Sequence, residues 1–249
     1  MYLKVLLILV SGIFLLITLQ GKYLLFVIKE SSGKSKIFVY KFWLITSFLS
    51  LGVLGTWVIY YLGLLKGRVN GEGTSTIYHP YDLTLGVVNQ YINIDASLIC
   101  PVLFGFCIGI IVIFIVARTR RGRKFYNTET ISTLGSTSNT ETAYLTLLCI
   151  NAGISEEIMF RGALPSLLFA VTHNAPASLT VSCVVFGCMH WYQGARGVIS
   201  TFFMALLFSA ILMVGLGLYV VMFLHFFFNI AALLLIPKAF DTGRPNTVT

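Results

Sequence analysis

Long apolar segments dominate this chain and restrict the folds that are open to it. Hydrophobic residues make up 57% of its 249 residues and charged residues only 10%, and the mean hydropathy is +0.88. A helix needs about 20 apolar residues to cross the hydrocarbon core of a bilayer, where backbone polar groups must be hydrogen-bonded within the protein. The composition therefore predicts an all-α fold, a polytopic transmembrane helical bundle of about seven spans, within a range of about six to eight.

Seven segments have the length and apolarity of a span: 2–28, 37–65, 98–117, 142–171, 176–191, 197–214 and 216–236. The first is expected to stay as a helix, because its apolar run is too long for a signal peptide and no small-residue cleavage site follows it. The five cysteines lie in or beside these segments without a CxxC pair. We expect them to be small buried hydrophobic residues rather than a disulfide framework or a zinc site.

The formal net charge of +8 comes from basic residues in the short loops next to the spans. The positive-inside rule places the loops at 29–36 and 118–124 in the cytoplasm, together with the basic tail. The loop at 66–97 is nearly balanced in charge and is expected outside. This pattern favours contact with anionic membrane lipids over nucleic acid. No glycosylation sequon or retention signal is present, so we predict a multi-pass protein of a cell membrane, the bacterial cytoplasmic membrane.

The polar residues divide the chain into three parts. Residues 1–140 are predicted to be N-terminal transmembrane helices and loops without an embedded carboxylate. Residues 141–237 contain every candidate functional residue and are predicted to form the catalytic core, and residues 238–249 a short cytoplasmic tail. Apart from Glu156 and Glu157, no acidic residue lies between Glu141 and Asp241.

Glu156, Glu157 and Arg161 lie inside an otherwise apolar span. A charged side chain near the bilayer centre costs roughly 2.5–3.5 kcal/mol on insertion scales, so such residues indicate a functional site. On a helix, Glu157 and Arg161 are one turn apart and share a face, whereas Glu156 points about 100° away from Glu157. We expect Arg161 to neutralise Glu157, which leaves Glu156 free to face a cavity as a general base.

Gly153 and Gly162 flank these charges and predict local breaks in the helix. A restart after Gly153, with Ser155 as its N-cap and the carboxylates in its first turn, would be favourable. It would also place Glu156 at a shallower depth. That depth matters because His190 is predicted near the cytoplasmic end of its own span.

Two further pairs lie one helical turn apart. Phe186 is expected to pack on the ring of His190 and fix its rotamer, and His225 and Asn229 would present two donors on one face, an arrangement that can stabilise an oxyanion. Each feature also has a structural interpretation, since an ion pair can clamp helices and a lone histidine is more often an interior residue. His79 and His173, beside prolines, are predicted on the surface.

Taken in order, the patterns Glu-Glu-x-x-x-Arg at 156–161, Phe-x-x-x-His at 186–190 and His-x-x-x-Asn at 225–229 are typical of a known family. The chain resembles the CAAX prenyl protease type II and bacteriocin-processing (CPBP, ABI) family of intramembrane endopeptidases over roughly the last hundred of its 249 residues. The resemblance implies a glutamic endopeptidase in which Glu156 and His190 activate water and His225 and Asn229 hold the oxyanion. Glu157, Arg161 and Phe186 would support this site, and the substrate would be a peptide or membrane protein, lipidated or not.

The residues themselves favour water as the nucleophile, because no serine or cysteine lies in a recognisable nucleophile arrangement. Cys188 is about 200° from His190 around a helix, so the two face different ways. We expect no metal and no cofactor, but zinc stays open, because two histidines and a glutamate can supply the three ligands of a catalytic zinc. The zincin signature HExxH is absent.

Two functions of other classes also fit the pattern. A non-catalytic membrane protein, acting in immunity or in peptide binding, would keep the same polar residues without turnover. A small transporter would use Glu and His side chains to relay protons, although the chain has no detectable inverted halves.

Overall fold

The computed structural model describes residues 2–30, 34–70, 80–81, 83–84, 108, 115, 133–134, 136 and 138–235. Within these residues the chain is helical and has no β-strand, which confirms the all-α prediction. Five helical stretches of this described part are long and apolar enough to cross a membrane. The predicted span at 98–117 and the tail at 238–249 lie outside the described segments.

The first half begins with helix α1, Tyr2–Glu30, and helix α2, Lys34–Ser47. A π-helical turn, Phe48–Val53, joins α2 without interruption to helix α3, Leu54–Asn70. Together these elements form the spans predicted at 2–28 and 37–65.

The second half consists of five helices. They are α4, Asn139–Glu157; α5, Leu164–Thr172; α6, Ala175–Met189; α7, Gly194–Met213; and α8, Leu218–Ile230. A π-helical turn, Ile158–Ala163, joins α4 to α5, a 3₁₀ turn, His190–Gln193, joins α6 to α7, and a π-helical turn, Ala231–Leu235, extends α8. Helices occupy all four segments predicted as spans here, but the candidate membrane spans of the described residues in this half are three, Asn139–Thr172, Ala175–Met213 and Leu218–Leu235, because α6, the 3₁₀ turn and α7 follow one another without a break.

Side chains at the helix ends explain where these elements begin and end. The Ser138 hydroxyl accepts a hydrogen bond from the backbone N–H of Glu141 and caps α4, and Ser-x-x-Glu is the pattern of a capping box. His173, with a φ of 54°, ends α5 in the left-handed region, and Asn174 caps α6 by accepting from the N–H of Ala177. His173 is exposed, as predicted.

The predicted break after Gly153 is wrong, because α4 continues through it to Glu157. Gly153 instead allows α8 to approach closely: a Cβ atom there would lie 2.9 Å from the carbonyl oxygen of Met222 and 3.0 Å from the backbone nitrogen of Phe226. Ser155 caps nothing; it is fully buried inside the helix and donates to the Asn151 side chain. The irregular turn begins at Ile158 and includes Gly162.

The depth of Glu156 and His190 is explained by helix length instead. The continuous helix Asn139–Thr172 has 34 residues and is therefore about 50 Å long, more than the hydrocarbon thickness of about 30 Å. Glu156 and His190 are equally far along the chain from His173, at the turn between α5 and α6. Because α6 folds back along α5 and the π-helical turn that follows α4, its last turn reaches the level of Glu156.

The first half packs directly on the second. The rings of Phe14 in α1 and Phe160 stack at 5.2 Å. The side-chain amide of Asn151 in α4 donates to the Ser47 hydroxyl at 2.7 Å. A Cβ atom at Gly52 would lie only 2.8 Å from Oγ of Ser155, so the π-helical turn of the first half lies against α4 immediately before the carboxylates.

Candidate active site

Glu157 and Arg161 form a buried ion pair. Nε of Arg161 lies 3.1 Å from Oε2 of Glu157, and the two side chains are 1% and 0% exposed. The pairing predicted from their spacing is confirmed. Since breaking such a buried pair leaves an uncompensated charge, this pair fixes the orientation of both side chains.

His225 of α8 lies between the two carboxylates. Its Nδ1 is 2.5 Å from Oε1 of Glu157, and its Nε2 is 3.7 Å from Oε2 of Glu156. Glu157 forms an ion pair with Arg161, and a carboxylate in an ion pair only accepts hydrogen bonds, so Nδ1 of His225 donates. Both carboxylates contact the imidazole of His225, Glu157 at Nδ1 and Glu156 at Nε2. The spacing of the two glutamates on the helix does not by itself predict this shared contact.

The Arg161 guanidinium is held by aromatic rings as well as by Glu157. Its Cζ lies 4.5 Å from the ring centroid of Phe186 and 5.3 Å from that of Phe208. Nη1 and Nη2 are buried and have no hydrogen-bond partner within the described residues. Cation–π contact therefore supplies much of the environment of this cation.

Phe186 connects the arginine to His190. Its ring centroid is 4.8 Å from that of His190 and 6.1 Å from that of His225, and its carbonyl oxygen lies 2.9 Å from Nδ1 of His190. The predicted packing of Phe186 on His190 is confirmed. A carbonyl only accepts, so Nδ1 of His190 carries a proton and its Nε2 is the unprotonated nitrogen of the neutral ring.

Tyr81 reaches this site from outside the motifs. Its hydroxyl donates to the carbonyl of Arg161 at 3.0 Å, and the side chain is 1% exposed. Burial raises the pKa of the Tyr81 phenol, so it stays a neutral donor. This role of Tyr81 could not be predicted, because Tyr81 lies in a segment whose composition indicates an external loop.

The widened turn after Glu157 frees backbone carbonyls that need donors. Three consecutive ones accept from hydroxyl groups: Phe160 from Ser182 at 2.6 Å, Arg161 from Tyr81 at 3.0 Å and Gly162 from Ser166 at 2.8 Å. These bonds satisfy a polar backbone that would otherwise be costly to bury. They fix the backbone of the π-helical turn from which the Arg161 side chain extends.

Asn229 and Cys188 lie at the edge of this arrangement. Asn229 is half-buried, one turn after His225 on α8, and its side chain has no hydrogen bond within the part of the chain described here. Cys188 is a free, exposed thiol, in agreement with its predicted orientation away from His190. Cys149 and Cys183 are free and buried, whereas Cys100, Cys107 and His79 lie outside the described residues.

Among the described residues, no group of three His, Cys, Asp or Glu side chains is arranged to hold a metal ion. Nδ1 of each site histidine is already engaged, by Glu157 or by the Phe186 carbonyl.

The fold and the site define a class: a polytopic helical membrane protein in which two carboxylates, a guanidinium and an imidazole meet among apolar helices. Residues 138–231 match the model of the Rce1-like family, described as type II CAAX prenyl endopeptidase Rce1-like, so this part of the chain is similar to CAAX-type proteases. The matched part contains all seven predicted site residues but not Tyr81 or Ser47. Comparison with curated proteins and with solved structures gave no match.

Proposed function

We propose that this chain is an intramembrane endopeptidase that hydrolyses a peptide bond near the membrane surface with a water molecule activated by Glu156 and His190. The observation that carries the proposal is the position of Glu156. Its Oε2 atom lies 3.7 Å from Nε2 of His225, and it has no hydrogen-bond partner within the described residues. Its side chain keeps 18% exposure, whereas Glu157 has none.

His190 suits the removal of a proton from water. Because its Nδ1–H is donated to the Phe186 carbonyl, Nε2 of the neutral ring has a free lone pair. Glu156 interacts electrostatically with this ring. We infer that water held by Glu156 and Nε2 of His190 loses a proton to this pair as it attacks the peptide carbonyl.

His225 and Asn229 are assigned to the oxyanion. In the resting site Nδ1–H of His225 is donated to Glu157. As negative charge develops on the substrate, a proton taken up at Nε2 would give the ring a second donor, Nε2–H. Together with the amide of Asn229, it would stabilise negative charge on the former carbonyl oxygen.

Glu157, Arg161 and Phe186 are assigned supporting roles. Glu157 orients His225 from the side opposite Glu156, Arg161 keeps Glu157 ionised, and Phe186 contacts the rings of both histidines. None of the three needs to touch the substrate. Removal of any of them should act through the position of His190 or His225.

The substrate follows from the family and the setting. The match of residues 138–231 to a CAAX-type protease family supports a peptide or the terminal segment of a membrane protein, with or without a lipid group, at a bacterial cytoplasmic membrane. The surrounding partners are membrane lipids, and nucleic acid has no place in this mechanism.

The test is a mass-spectrometric comparison of membrane and secreted peptides from cells that carry the wild-type chain or Glu156→Gln at equal levels. Peptides with new termini should appear only with the wild type. If the two sets of peptides are identical and cells with Glu156→Gln show the same phenotype as cells with the wild type, the chain is instead a non-catalytic immunity or binding protein. The experiment is then repeated with purified protein and a metal chelator. The metal-free mechanism predicts no loss of cleavage, whereas a zinc-dependent mechanism predicts that cleavage is lost.

A further inference from the structure

Phe208 lies outside every motif recognised in the sequence and yet contacts two residues of the site. It lies on α7 and is completely buried. Its ring centroid is 5.3 Å from Cζ of Arg161 and 5.7 Å from the ring centroid of His225. Phe208 is therefore in contact with both the cation and the imidazole that flank Glu157.

The guanidinium depends on such contacts. Of its nitrogens, Nε meets Glu157, whereas Nη1 and Nη2 have no hydrogen-bond partner among the residues described. A single contact at Nε leaves the guanidinium plane free to turn, and the rings of Phe186 and Phe208 restrict that rotation. The face of an aromatic ring also attracts a buried cation more strongly than an aliphatic side chain does.

The consequence reaches Glu156 through a chain of contacts. Arg161 holds Oε2 of Glu157, whose Oε1 holds Nδ1 of His225, and this bond leaves Nε2 facing Glu156. A guanidinium that turns would release Glu157, and the imidazole would then lose its fixed tautomer. The ring of Phe208 contacts both Arg161, where this series of contacts begins, and His225, which faces Glu156.

We propose that Phe208 is a positioning residue that fixes the tautomer and orientation of His225 through the Arg161 guanidinium. The proposal rests on the proposed function, in which His225 stabilises the oxyanion. Phe208 itself touches neither substrate nor water.

Three variants separate the ring from its bulk. Phe208→Met keeps most of the volume but removes the aromatic face, and Phe208→Tyr keeps the face. Phe202→Met is the matched control, because Phe202 lies on the same helix, is half-buried and packs on Gly187 of α6 and on the ring of Phe203. Thermal unfolding in detergent verifies that each variant is folded.

The first readout is the hydrolysis of a fluorogenic peptide that carries a farnesylated cysteine near its C-terminus. Phe208→Met should lower kcat by about tenfold with KM unchanged, since one desolvated cation–π contact has roughly that effect on a rate. Phe208→Tyr should restore kcat, and Phe202→Met should leave it unchanged. Equal losses in Phe208→Met and Phe202→Met, or a change in KM alone, would overturn the proposal.

The second readout does not need turnover. In protein with ¹⁵N-labelled histidines, the His225 resonances are assigned by their absence in His225→Gln. The wild type should show a single protonated Nδ1 for His225, and Phe208→Met should move this resonance toward a mixture of tautomers. An unchanged resonance in folded Phe208→Met would refute the positioning role. If the wild type fails to cleave the peptide, the proposed function fails in this assay, while the resonance still tests Phe208.

Discussion

Nδ1 of His225 lies 2.5 Å from Oε1 of Glu157, and this contact joins helices α8 and α4 at the centre of the site. It divides the two neighbouring glutamates by role. Glu157, fully buried and paired with Arg161, is part of the structure, whereas Glu156, on the other side of the same imidazole, keeps the exposure that a reacting group needs.

This division predicts unequal effects of two matched variants on the free energy of unfolding. Glu157→Gln leaves Arg161 as an uncompensated buried charge and should lower the free energy of unfolding by about 3–5 kcal/mol. Glu156→Gln should change it by less than about 1 kcal/mol, because the Glu156 side chain is partly exposed and makes no hydrogen bond to any described residue. Chemical unfolding in detergent micelles measures both. Equal destabilisation by the two variants would show that the division is wrong.

Gly153→Ala should separate α4 from α8. The added Cβ would lie 2.9 Å from backbone atoms of α8, and such overpacking costs about 1–3 kcal/mol. The shift should also lengthen the contact between Glu157 and His225 and reduce turnover. Gly12→Ala is the control: a Cβ there meets nothing within 4 Å, so the better helix propensity of alanine should leave stability equal or slightly higher. A tolerated Gly153→Ala would contradict the close approach of these helices.

Tyr81→Phe removes one hydroxyl and leaves the carbonyl of Arg161 without that donor. The expected cost is about 1–3 kcal/mol of unfolding free energy, the penalty for an unsatisfied buried acceptor. Tyr219→Phe is the control, since Tyr219 is 84% exposed and should be neutral. Thermal shift assays of both variants decide the matter, and an unaffected Tyr81→Phe would argue against a contribution of this segment to the core.

The side chain of Asn151 donates a hydrogen bond to Ser47 and accepts one from Ser155, and this buried network can be tested by substitution of Asn151. In Asn151→Leu the buried Ser155 hydroxyl loses its acceptor, the Asn151 carbonyl group, and we expect a loss of about 1–3 kcal/mol. The double variant Asn151→Leu with Ser155→Ala should recover part of that loss, because no buried donor is then left unpaired. Losses that simply add in the double variant would refute this interpretation of the network.

The spacing of residues along the sequence correctly predicted the side-chain contacts that form within a single helix. One turn separates Glu157 from Arg161 and Phe186 from His190, and both contacts are present. Contacts between helices needed the fold: nothing in the sequence links His225 to Glu157, and neither Tyr81 nor Phe208 belongs to a motif. The break expected at Gly153 was wrong because a glycine in an apolar span serves close helix packing as readily as a bend, and sequence alone does not distinguish the two.

The most direct test of the account is the rate at which purified Glu156→Gln hydrolyses the farnesylated fluorogenic peptide, compared with the wild type and with Cys188→Ala as a control on the neighbouring exposed thiol. The account predicts a loss of at least about hundredfold for Glu156→Gln at an unchanged unfolding temperature, and full activity for Cys188→Ala. Turnover by folded Glu156→Gln at the wild-type rate would contradict it.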